Sequence, residues 1–312
     1  MDLIIYHKDC PDGFCAALIA KKRYPEAALL ALSHGLSESH VAGIISSCTN
    51  LDVLMVDFSF PTRDSNVALN THAKSFRIFD HHKTAQAELD GLDFTVFDVN
   101  RSGAGITWDE LFGRYDRKFH HNREGREIDL GDGRVYIGMP EPLRPWYVDY
   151  VQDHDLWKHE LPSSREVNAY IMTLPFTEGA WRDMMYLGPK EAMRLGTGAL
   201  AYINHYVREV VKQRQMAHLN GPSIAIVNAP YLNCSEIGAE LATEYADIGL
   251  TWFERGDGQV QFSLRSKNGS DIDVSAIAKM YGGGGHKHAA GFQMTLAQSR
   301  LLIDDILHRG AK

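Results

Sequence analysis

Short apolar runs that end in polar residues recur along the first part of the chain, and helix-like segments separate them. The runs are LIIY (3–6), ALLALS (28–33), VLMVDF (53–58), FRIFD (76–80) and FTVFD (94–98). The amphipathic segments between them span 12–23, 37–47 and 62–73. Strands that are apolar on both faces and alternate with helices are typical of a mainly parallel sheet with helices on both faces. The sequence therefore predicts an α/β fold of this kind.

The length of 312 residues predicts two domains, because a single core rarely grows that large. We expect the first over 1–190, with an inserted hairpin near 113–145, where polar residues surround a GDG turn. Helical patterning continues over 146–218 and includes a helical linker at 191–220, which ends at an NGP breaker. New strand-like runs then predict a smaller α/β domain over 221–312.

Charge and composition narrow the class of partner. The formal net charge of -8 argues against a protein that tracks long nucleic acid along a basic surface. An anionic substrate must then be held locally, by metal ions or by a few cationic side chains. No apolar run is long enough to span a bilayer, and the start of the chain lacks a signal-peptide pattern, so we expect a cytoplasmic protein. The four cysteines form no CxxC pair, which fits a reducing compartment and argues against a structural zinc site.

Polar residues follow three of the predicted strands. His7, Asp9 and Asp12 come after the first run, Asp57 lies within the third, and residues 80–82 (DHH) end and follow the fourth. Ligands of parallel sheets collect at the carboxyl ends of the strands, so we expect these side chains to lie near one another. Imidazole with several carboxylates suits divalent metals and favours Mn²⁺ over metals that select thiolates.

The predicted second domain carries a glycine run and a candidate cation. Gly283, Gly284 and Gly285 belong to YGGGGHKHAAGF, where backbone N–H groups can approach a phosphate closely. His286 follows them and can reach the same oxygen. A flexible turn is the alternative interpretation of the glycines. Arg265, in SLRSK, is a candidate for gripping a terminal phosphate with two hydrogen bonds.

Five motifs together resemble the DHH phosphoesterase superfamily. They are HKDCPDG, VDFS, FDHHKTA, SLRSK and GGGGHKHAAGF, and they occur in this order across both halves of the chain. The resemblance is to the branch in which a DHH domain precedes a DHH-associated C-terminal domain. That branch includes RecJ-type exonucleases, nanoRNases that degrade very short RNAs, cyclic dinucleotide phosphodiesterases and exopolyphosphatase-related proteins.

The resemblance implies a centre of two divalent metal ions, with Mn²⁺ favoured. It assigns His7 and Asp9 to one ion, and Asp12, His81 and a later aspartate to the other. It makes Asp57 the ligand that both ions share. The first motif departs from that of the short-RNA enzymes, because Asp9 comes earlier, so the individual roles of Asp9 and Asp12 stay open.

The same resemblance implies roles for the rest of the DHH triplet and a later ligand. Asp80 would support or bridge the ligands, and His82 would lie against the scissile phosphate as a catalytic residue. For the later aspartate, Asp153 and Asp155 are both available in YVQDHDLW. Residues two apart do not share a helix face, so at most one should point at the metals. We prefer Asp153.

The implied activity is hydrolysis of short oligoribonucleotides or linear dinucleotides to mononucleotides. A hydroxide held between two metal ions would attack the phosphorus in line with the leaving oxygen. The alternatives are an exopolyphosphatase or other phosphoanhydride hydrolase, and, outside the enzymes, a nucleotide-binding regulator. Short RNA or a dinucleotide is the expected partner, with no tracking of long DNA and no membrane; whether the chain forms a homodimer stays open.

Overall fold

The computed structural model describes residues 1–113, 126–129, 135–138, 144–218 and 221–309. The chain divides into two compact units. The first comprises Met1–His81 and Glu88–Thr197, and the second comprises His82–Ala87 and the chain from Gly198 onward. The division therefore falls inside the DHH triplet. The boundary at 190 and the linker at 191–220 stay sequence-based predictions.

Strands and helices alternate from β1 to α5, and two strands and three helices then follow up to Val211. The strands are β1 (Leu3–His7), β2 (Ala28–Leu32), β3 (Asp52–Val56), β4 (Ser75–Asp80), β5 (Thr95–Phe97), β6 (Arg126–Asp129) and β7 (Val135–Gly138). The helices are α1 (Pro11–Arg23), α2 (Glu38–Ser47), α3 (Arg63–His72), α4 (Lys83–Glu88), α5 (Gly103–Phe112), α6 (Trp146–Asp155), α7 (Ser164–Ile171) and α8 (Glu178–Val211). A kink interrupts α8 at Gly188, which precedes Pro189.

The five strands β1 to β5 form one parallel sheet in the order β2-β1-β3-β4-β5. Successive strand residues point to opposite faces, and both faces are covered. Ile4 and Leu54 pack in one core with α1 and α5, whereas Ile5 and Val53 pack in another with α2 and α3. Burying each such side chain stabilises the fold by about 1.5–3 kcal/mol. The predicted parallel sheet with helices on both faces is confirmed.

The second unit has a mixed sheet. Its elements are β8 (Gln215–His218), β9 (Ser223–Asn228), α9 (Cys234–Glu244), β10 (Ile248–Glu254), β11 (Gln259–Ser266), α10 (Val274–Met280), β12 (Gly284–His286), β13 (Ala289–Thr295) and α11 (Leu296–Arg309). The strand order is β12-β13-β11-β10-β9-β8, with β9 and β10 parallel and the other pairs antiparallel. Apolar cores cover both faces of this sheet.

Residues 215–218 form a strand, whereas the sequence predicted a helix up to 218. These residues pair antiparallel with β9, and the buried Ala217 pairs with Ile224. Pairing with a distant strand and burial of Ala217 outweigh the local helical pattern, because tertiary contacts override propensity.

The predicted insertion is described only in part. β6 and β7 pair antiparallel, while the GDG turn predicted between them lies outside the described residues. Within the described part of the chain, no helix is both long enough and apolar enough to cross a membrane.

Candidate metal centre

The carboxyl ends of β1 and β3 lie where the strand order reverses. The chain runs from β1 to β2 on one side and then returns to β3 on the other side. Open parallel sheets bind ligands in the crevice at such a switch point. His7 is the last residue of β1, and Asp57 directly follows β3. Their Nδ1 and Oδ2 atoms lie 3.6 Å apart, so the fold brings two predicted ligands together.

Asp57 has a left-handed backbone conformation, with φ of 51°. Its side chain is 1% exposed, and its N–H donates to the Phe79 carbonyl oxygen at 2.8 Å. The turn ends β3 at Val56, although the apolar run continues to Phe58. Left-handed conformations of non-glycine residues cost about 1–3 kcal/mol and cluster at functional sites.

Asp12 belongs to α1, and its side chain lies at the N-terminus of α5. Its carboxylate oxygens accept hydrogen bonds from the Gly103 N–H at 2.6 Å and the Ala104 N–H at 3.0 Å. These are among the N–H groups that a helix leaves free at its start, and the helix dipole also favours an anion there. Burial and the charges of Asp57 and Asp155 nevertheless raise the pKa of Asp12 well above its usual range. A cation among these carboxylates would relieve that repulsion.

His81 is the point where three carboxylates converge. Its Nε2 atom lies 3.2 Å from Asp57 Oδ1, 3.5 Å from Asp155 Oδ2 and 3.7 Å from Asp12 Oδ2. Burial lowers the pKa of this imidazole, but Asp155, Asp57 and Asp12 outweigh burial, so the pKa of His81 is well above its usual value. A metal ion coordinated by His81 would replace the proton as the positive charge of this group.

The Asp80 carboxylate accepts hydrogen bonds from a backbone N–H and from a neighbouring hydroxyl group. Its Oδ1 atom accepts the His81 N–H at 2.7 Å, and its Oδ2 atom accepts the Ser59 hydroxyl at 3.0 Å. The carboxylate is 1% exposed. Asp80 therefore orients the residue that carries the converging imidazole.

The donor atoms of the first unit fit divalent cations. Ligand atoms of Asp12, Asp57 and His81 lie within 4.8 Å of one another, and so do ligand atoms of His7, Cys10 and Asp57. Asp57 belongs to both groups. Two overlapping sets of oxygen, nitrogen and sulfur donors around one shared carboxylate match what a pair of metal ions requires.

Gly103 gives a test of how tightly this centre is packed. A Cβ atom at position 103 would lie 2.5 Å from Asp57 Cβ and 2.9 Å from its Cα. We expect Gly103→Ala to displace Asp57, to lower the free energy of unfolding by about 1–3 kcal/mol, and to weaken divalent-cation binding by about 10- to 100-fold. Urea unfolding and calorimetric titration with Mn²⁺ measure the two effects.

Gly43→Ala is the matched control. Gly43 lies inside α2, and a Cβ atom there meets nothing within 4 Å. Alanine is the better helix former, so the free energy of unfolding of this variant should rise by about 0.5–1 kcal/mol, with metal affinity unchanged. Equal metal affinities for the two variants would contradict the proposed packing role of Gly103.

The second unit holds the rest of the DHH triplet against its glycine run. The rings of His82 and His286 stack with centroids 5.0 Å apart and planes inclined by 19°. The Gly285 N–H donates to Thr84 Oγ1 at 3.3 Å, and a Cβ atom at Gly284 would lie 2.7 Å from that oxygen. The segment that begins at His82 is therefore fixed to β12.

An ion pair also fixes this segment. Lys83 Nζ lies 2.6 Å from Asp273 Oδ2, and Asp273 caps α10 by accepting the N–H groups of Ser275 and Ala276. Partial burial opposes ionisation, but Lys83 and the Ser275 hydroxyl outweigh it and, with the backbone donors, lower the pKa of Asp273 to about 2.

The lowered pKa predicts how stability depends on pH. A carboxyl whose folded-state pKa lies below its unfolded value stabilises the fold above the unfolded pKa, and the effect is lost as pH falls through the folded pKa. The contribution of Asp273 is therefore complete at pH 6 and partly lost at pH 3, which lies between the unfolded value near 4 and the folded value of about 2. The free energy of urea unfolding of Asp273→Asn should therefore differ from that of the parent more at pH 6 than at pH 3, and equal differences at the two pH values would contradict the role of Asp273.

Arg265 lies on β11 and is held in place from two sides. Its Nη1 atom donates to the Leu264 carbonyl oxygen at 2.9 Å, and its Nη2 atom donates to the Ser235 hydroxyl at 2.6 Å. A Cβ atom at Gly238 would lie 2.8 Å from Arg265 Cγ, so the glycine makes room for its stem. The guanidinium is half-buried and oriented within the second unit.

Comparison with known proteins gives a domain match in the second unit and a similar fold for the chain. Residues 235–309 match the DHHA1 domain. Over its full length, the chain aligns with 90% of a crystal structure of the exonuclease RecJ bound to manganese, with a TM-score of 0.53 and 16% identity. The second unit of the chain thus carries a DHHA1 domain, and the fold of the chain is similar to that of RecJ. The DHH triplet at 80–82 precedes the DHHA1 match, which is the order that the sequence resemblance implies.

Two further similar proteins are longer than this chain. RecJ from Thermus thermophilus in complex with Mn²⁺ matches 99% of the chain with a TM-score of 0.51 and 15% identity, and the chain spans 52% of that protein. An uncharacterized protein of Acanthamoeba polyphaga mimivirus is 26% identical over 93% of this chain and 67% of its own length.

The structure places the two candidate aspartates of α6, Asp153 and Asp155, in different surroundings. The two carboxylate oxygens of Asp153 accept the N–H groups of Glu160 and Leu161 at 3.0 and 3.1 Å, so the side chain closes the loop after α6. Asp155, at the end of the same helix, lies 3.5 Å from His81 instead. Of these two aspartates, Asp155 is therefore the one that lies beside His81.

The resemblance also assigned Asp9 to a metal ion. Asp9 is exposed, has a left-handed φ of 54°, and lies 3.7 Å from Lys8 rather than in either donor group. Cys10, which the sequence analysis did not consider as a ligand, joins His7 and Asp57. Burial, together with Asp57 and Asp155, raises the pKa of the Cys10 thiol well above its usual value.

His34 is a second residue that the sequence analysis missed. Its ring lies 4.6 Å from the His7 ring and stacks on Phe58 at 5.1 Å. It follows β2, so the rule that identified polar residues at the other strand ends could have found it.

The last two glycines of the glycine run lie in a strand and not in a flexible turn. Gly284 and Gly285 belong to β12 and pair with Gly291 and Ala290 of β13. A Cβ atom at Gly283 would lie 2.1 Å from the Gly291 carbonyl oxygen. Close strand pairing alone thus requires glycine at this position.

Proposed function

We propose that this protein is a metal-dependent phosphodiesterase that hydrolyses short oligoribonucleotides or linear dinucleotides to mononucleotides. The observation that carries the proposal is the pair of donor groups that share Asp57 at the switch point of the sheet. The manganese-bound RecJ structure with a similar fold supports a divalent ion, and Mn²⁺ is our first choice. The net charge of -8 favours a short substrate over a long polyanion.

The residues of the first unit would hold and orient the metal centre. Two divalent ions, when bound, supply Lewis acidity at the phosphoryl group and lower the pKa of water toward neutrality. Asp57 would be shared, while the α5 N-terminus fixes the orientation of Asp12 and Asp80 fixes that of His81. Asp155 completes the oxygen-rich side of the centre.

The residues of the second unit would act on the substrate. His82 directly follows His81, so their Cα atoms are about 3.8 Å apart in a trans peptide. Stacking against His286 fixes the orientation of the His82 imidazole. We assign to His82 the stabilisation of a phosphoryl oxygen or the transfer of a proton to the leaving oxygen. The Gly283–Gly285 backbone with His286 and Arg265 would hold the substrate phosphate.

Arg265→Ala should weaken substrate binding and leave the chemical step nearly intact. A charge-assisted hydrogen bond contributes about 1.5–3 kcal/mol, so KM should rise about tenfold or more, with kcat changed by less than about threefold. Arg255→Ala is the matched control, since Arg255 is another arginine of the second unit and pairs with Asp257. A loss of kcat with KM unchanged in Arg265→Ala would contradict the binding role.

A parallel substrate panel tests the activity itself. The protein is incubated with Mn²⁺ and, separately, a 5′-phosphorylated diribonucleotide, a heptaribonucleotide, cyclic di-GMP and polyphosphate, and the products are followed over time. Fastest release of mononucleotides from the dinucleotide supports the proposal. Release of phosphate from polyphosphate with the nucleotides untouched replaces it with a phosphoanhydride hydrolase. Nucleotide binding without turnover replaces it with a regulator.

A further inference from the structure

Cys10 lies within the first motif, between the end of β1 and the start of α1. It is the residue before α1, and its extended backbone (φ -123°, ψ 127°) is that of a helix N-cap. Its side chain interacts with the Gly13 backbone N–H in the first turn of α1. Its sulfur also lies within 4.8 Å of ligand atoms of His7 and Asp57. The side chain is therefore placed for coordination.

The environments of the other cysteines differ. Cys15 and Cys48 are fully buried in the two apolar cores of the first unit. Cys234 lies in the second unit, with its sulfur 3.8 Å from the Ser263 hydroxyl. Among the residues that the structure describes, Cys10 is the cysteine whose sulfur meets an imidazole and a carboxylate at once.

The neighbouring acid does not compete for this position. Asp9 is exposed and lies beside Lys8. Its left-handed conformation turns the chain between His7 and Cys10, and Pro11 then fixes the start of α1. The HKDCPDG motif thus offers His7, Cys10 and Asp12 to the two donor groups and leaves Asp9 outside both.

We infer that Cys10 is a metal ligand and that the two metal positions of this protein differ in preference. The inference rests on the proposed metal-dependent function. The position formed by Asp12, Asp57 and His81 is rich in oxygen and suits Mn²⁺ or Mg²⁺. The position formed by His7, Cys10 and Asp57 includes a thiolate, which selects the softer Zn²⁺ or Co²⁺ over Mn²⁺. When the sulfur–metal bond forms, the thiol proton passes to solvent, and no electron is exchanged.

Cobalt titration tests the sulfur ligand directly. Thiolate ligation of Co²⁺ gives a near-ultraviolet charge-transfer band, which oxygen and nitrogen ligands do not give. The band should appear with the first equivalent of Co²⁺ in the parent protein and in Cys234→Ser, and it should be absent from Cys10→Ser and Cys10→Asp. In competition titrations, Cys10→Asp should lower the preference for Zn²⁺ over Mn²⁺ by about tenfold or more.

Alkylation gives a second readout that does not depend on activity. Iodoacetamide labelling followed by peptide mass spectrometry reports each cysteine separately. Saturating Zn²⁺ should slow the labelling of Cys10 by about tenfold or more, while the labelling of Cys234 is unchanged. This comparison needs no variant and so does not depend on whether a variant folds.

The outcomes separate the inference from the proposed function. A charge-transfer band that persists in Cys10→Ser, or equal labelling of Cys10 with and without Zn²⁺ in a protein that binds the metal, overturns the role of Cys10 and leaves the shared Asp57 centre standing. A parent protein that binds neither Co²⁺ nor Zn²⁺ nor Mn²⁺ overturns both.

Discussion

Replacing Asp57 with asparagine should abolish metal-dependent phosphodiester hydrolysis, with turnover falling on the order of a thousandfold. Asp57 belongs to both donor groups, so one substitution weakens both metal positions. Asparagine has the same shape and readily adopts the left-handed conformation that Asp57 shows, so the turn after β3 should persist. The variant therefore removes the shared charge without removing the fold.

Thermal unfolding with and without Mn²⁺ separates metal binding from folding. A ligand present at 100 times its Kd stabilises the folded state by about 2.7 kcal/mol. This stabilisation should be present in the parent protein and lost in Asp57→Asn. Asp64→Asn is the control, because Asp64 is an exposed aspartate in the first turn of α3. If Asp57→Asn kept the Mn²⁺-dependent rise in melting temperature and the turnover of the parent, Asp57 would not be a ligand that both ions share.

The sheet and part of the metal centre could be predicted from the sequence, because local patterns of apolar residues indicate the strands and where they end. Ile4 and Ile5 in LIIY are buried on opposite faces of β1, and FRIFD in β4 is buried except for Arg77, which gives both strands an apolar pattern. Parallel strands align their carboxyl ends, so residues that end such runs meet regardless of their separation in sequence. His7 and His81 lie near Asp57 for this reason.

The remaining site residues depend on angles that the sequence pattern does not fix. Asp9 and Cys10 are adjacent, and the left-handed turn at Asp9 decides which of them meets His7. Asp153 and Asp155 lie on one helix, where the rotation of α6 about its axis decides which of them faces His81. That rotation is set by packing of Val148 and Val151 in the core, which is a tertiary contact.

The two aspartates of α6 should respond to substitution in opposite ways. Asp155→Asn removes a carboxylate that lies 3.5 Å from His81, so metal affinity and turnover should fall by about 10- to 100-fold with little change in stability. Asp153→Asn weakens two hydrogen bonds from the backbone N–H groups of Glu160 and Leu161. Such bonds to a charged acceptor contribute about 1.5–3 kcal/mol each, so Asp153→Asn should lower the free energy of unfolding with metal affinity retained.

Measuring both quantities on both variants makes each the control of the other. Calorimetric titration with Mn²⁺ gives the affinity, and urea unfolding of the metal-free proteins gives the stability. Loss of affinity confined to Asp153→Asn would restore the assignment that the sequence favoured and would remove Asp155 from the centre. Loss confined to Asp155→Asn assigns the oxygen-rich metal position to Asp12, Asp57, His81 and Asp155, because the carboxylate at 153 is then engaged only with the backbone of its own loop.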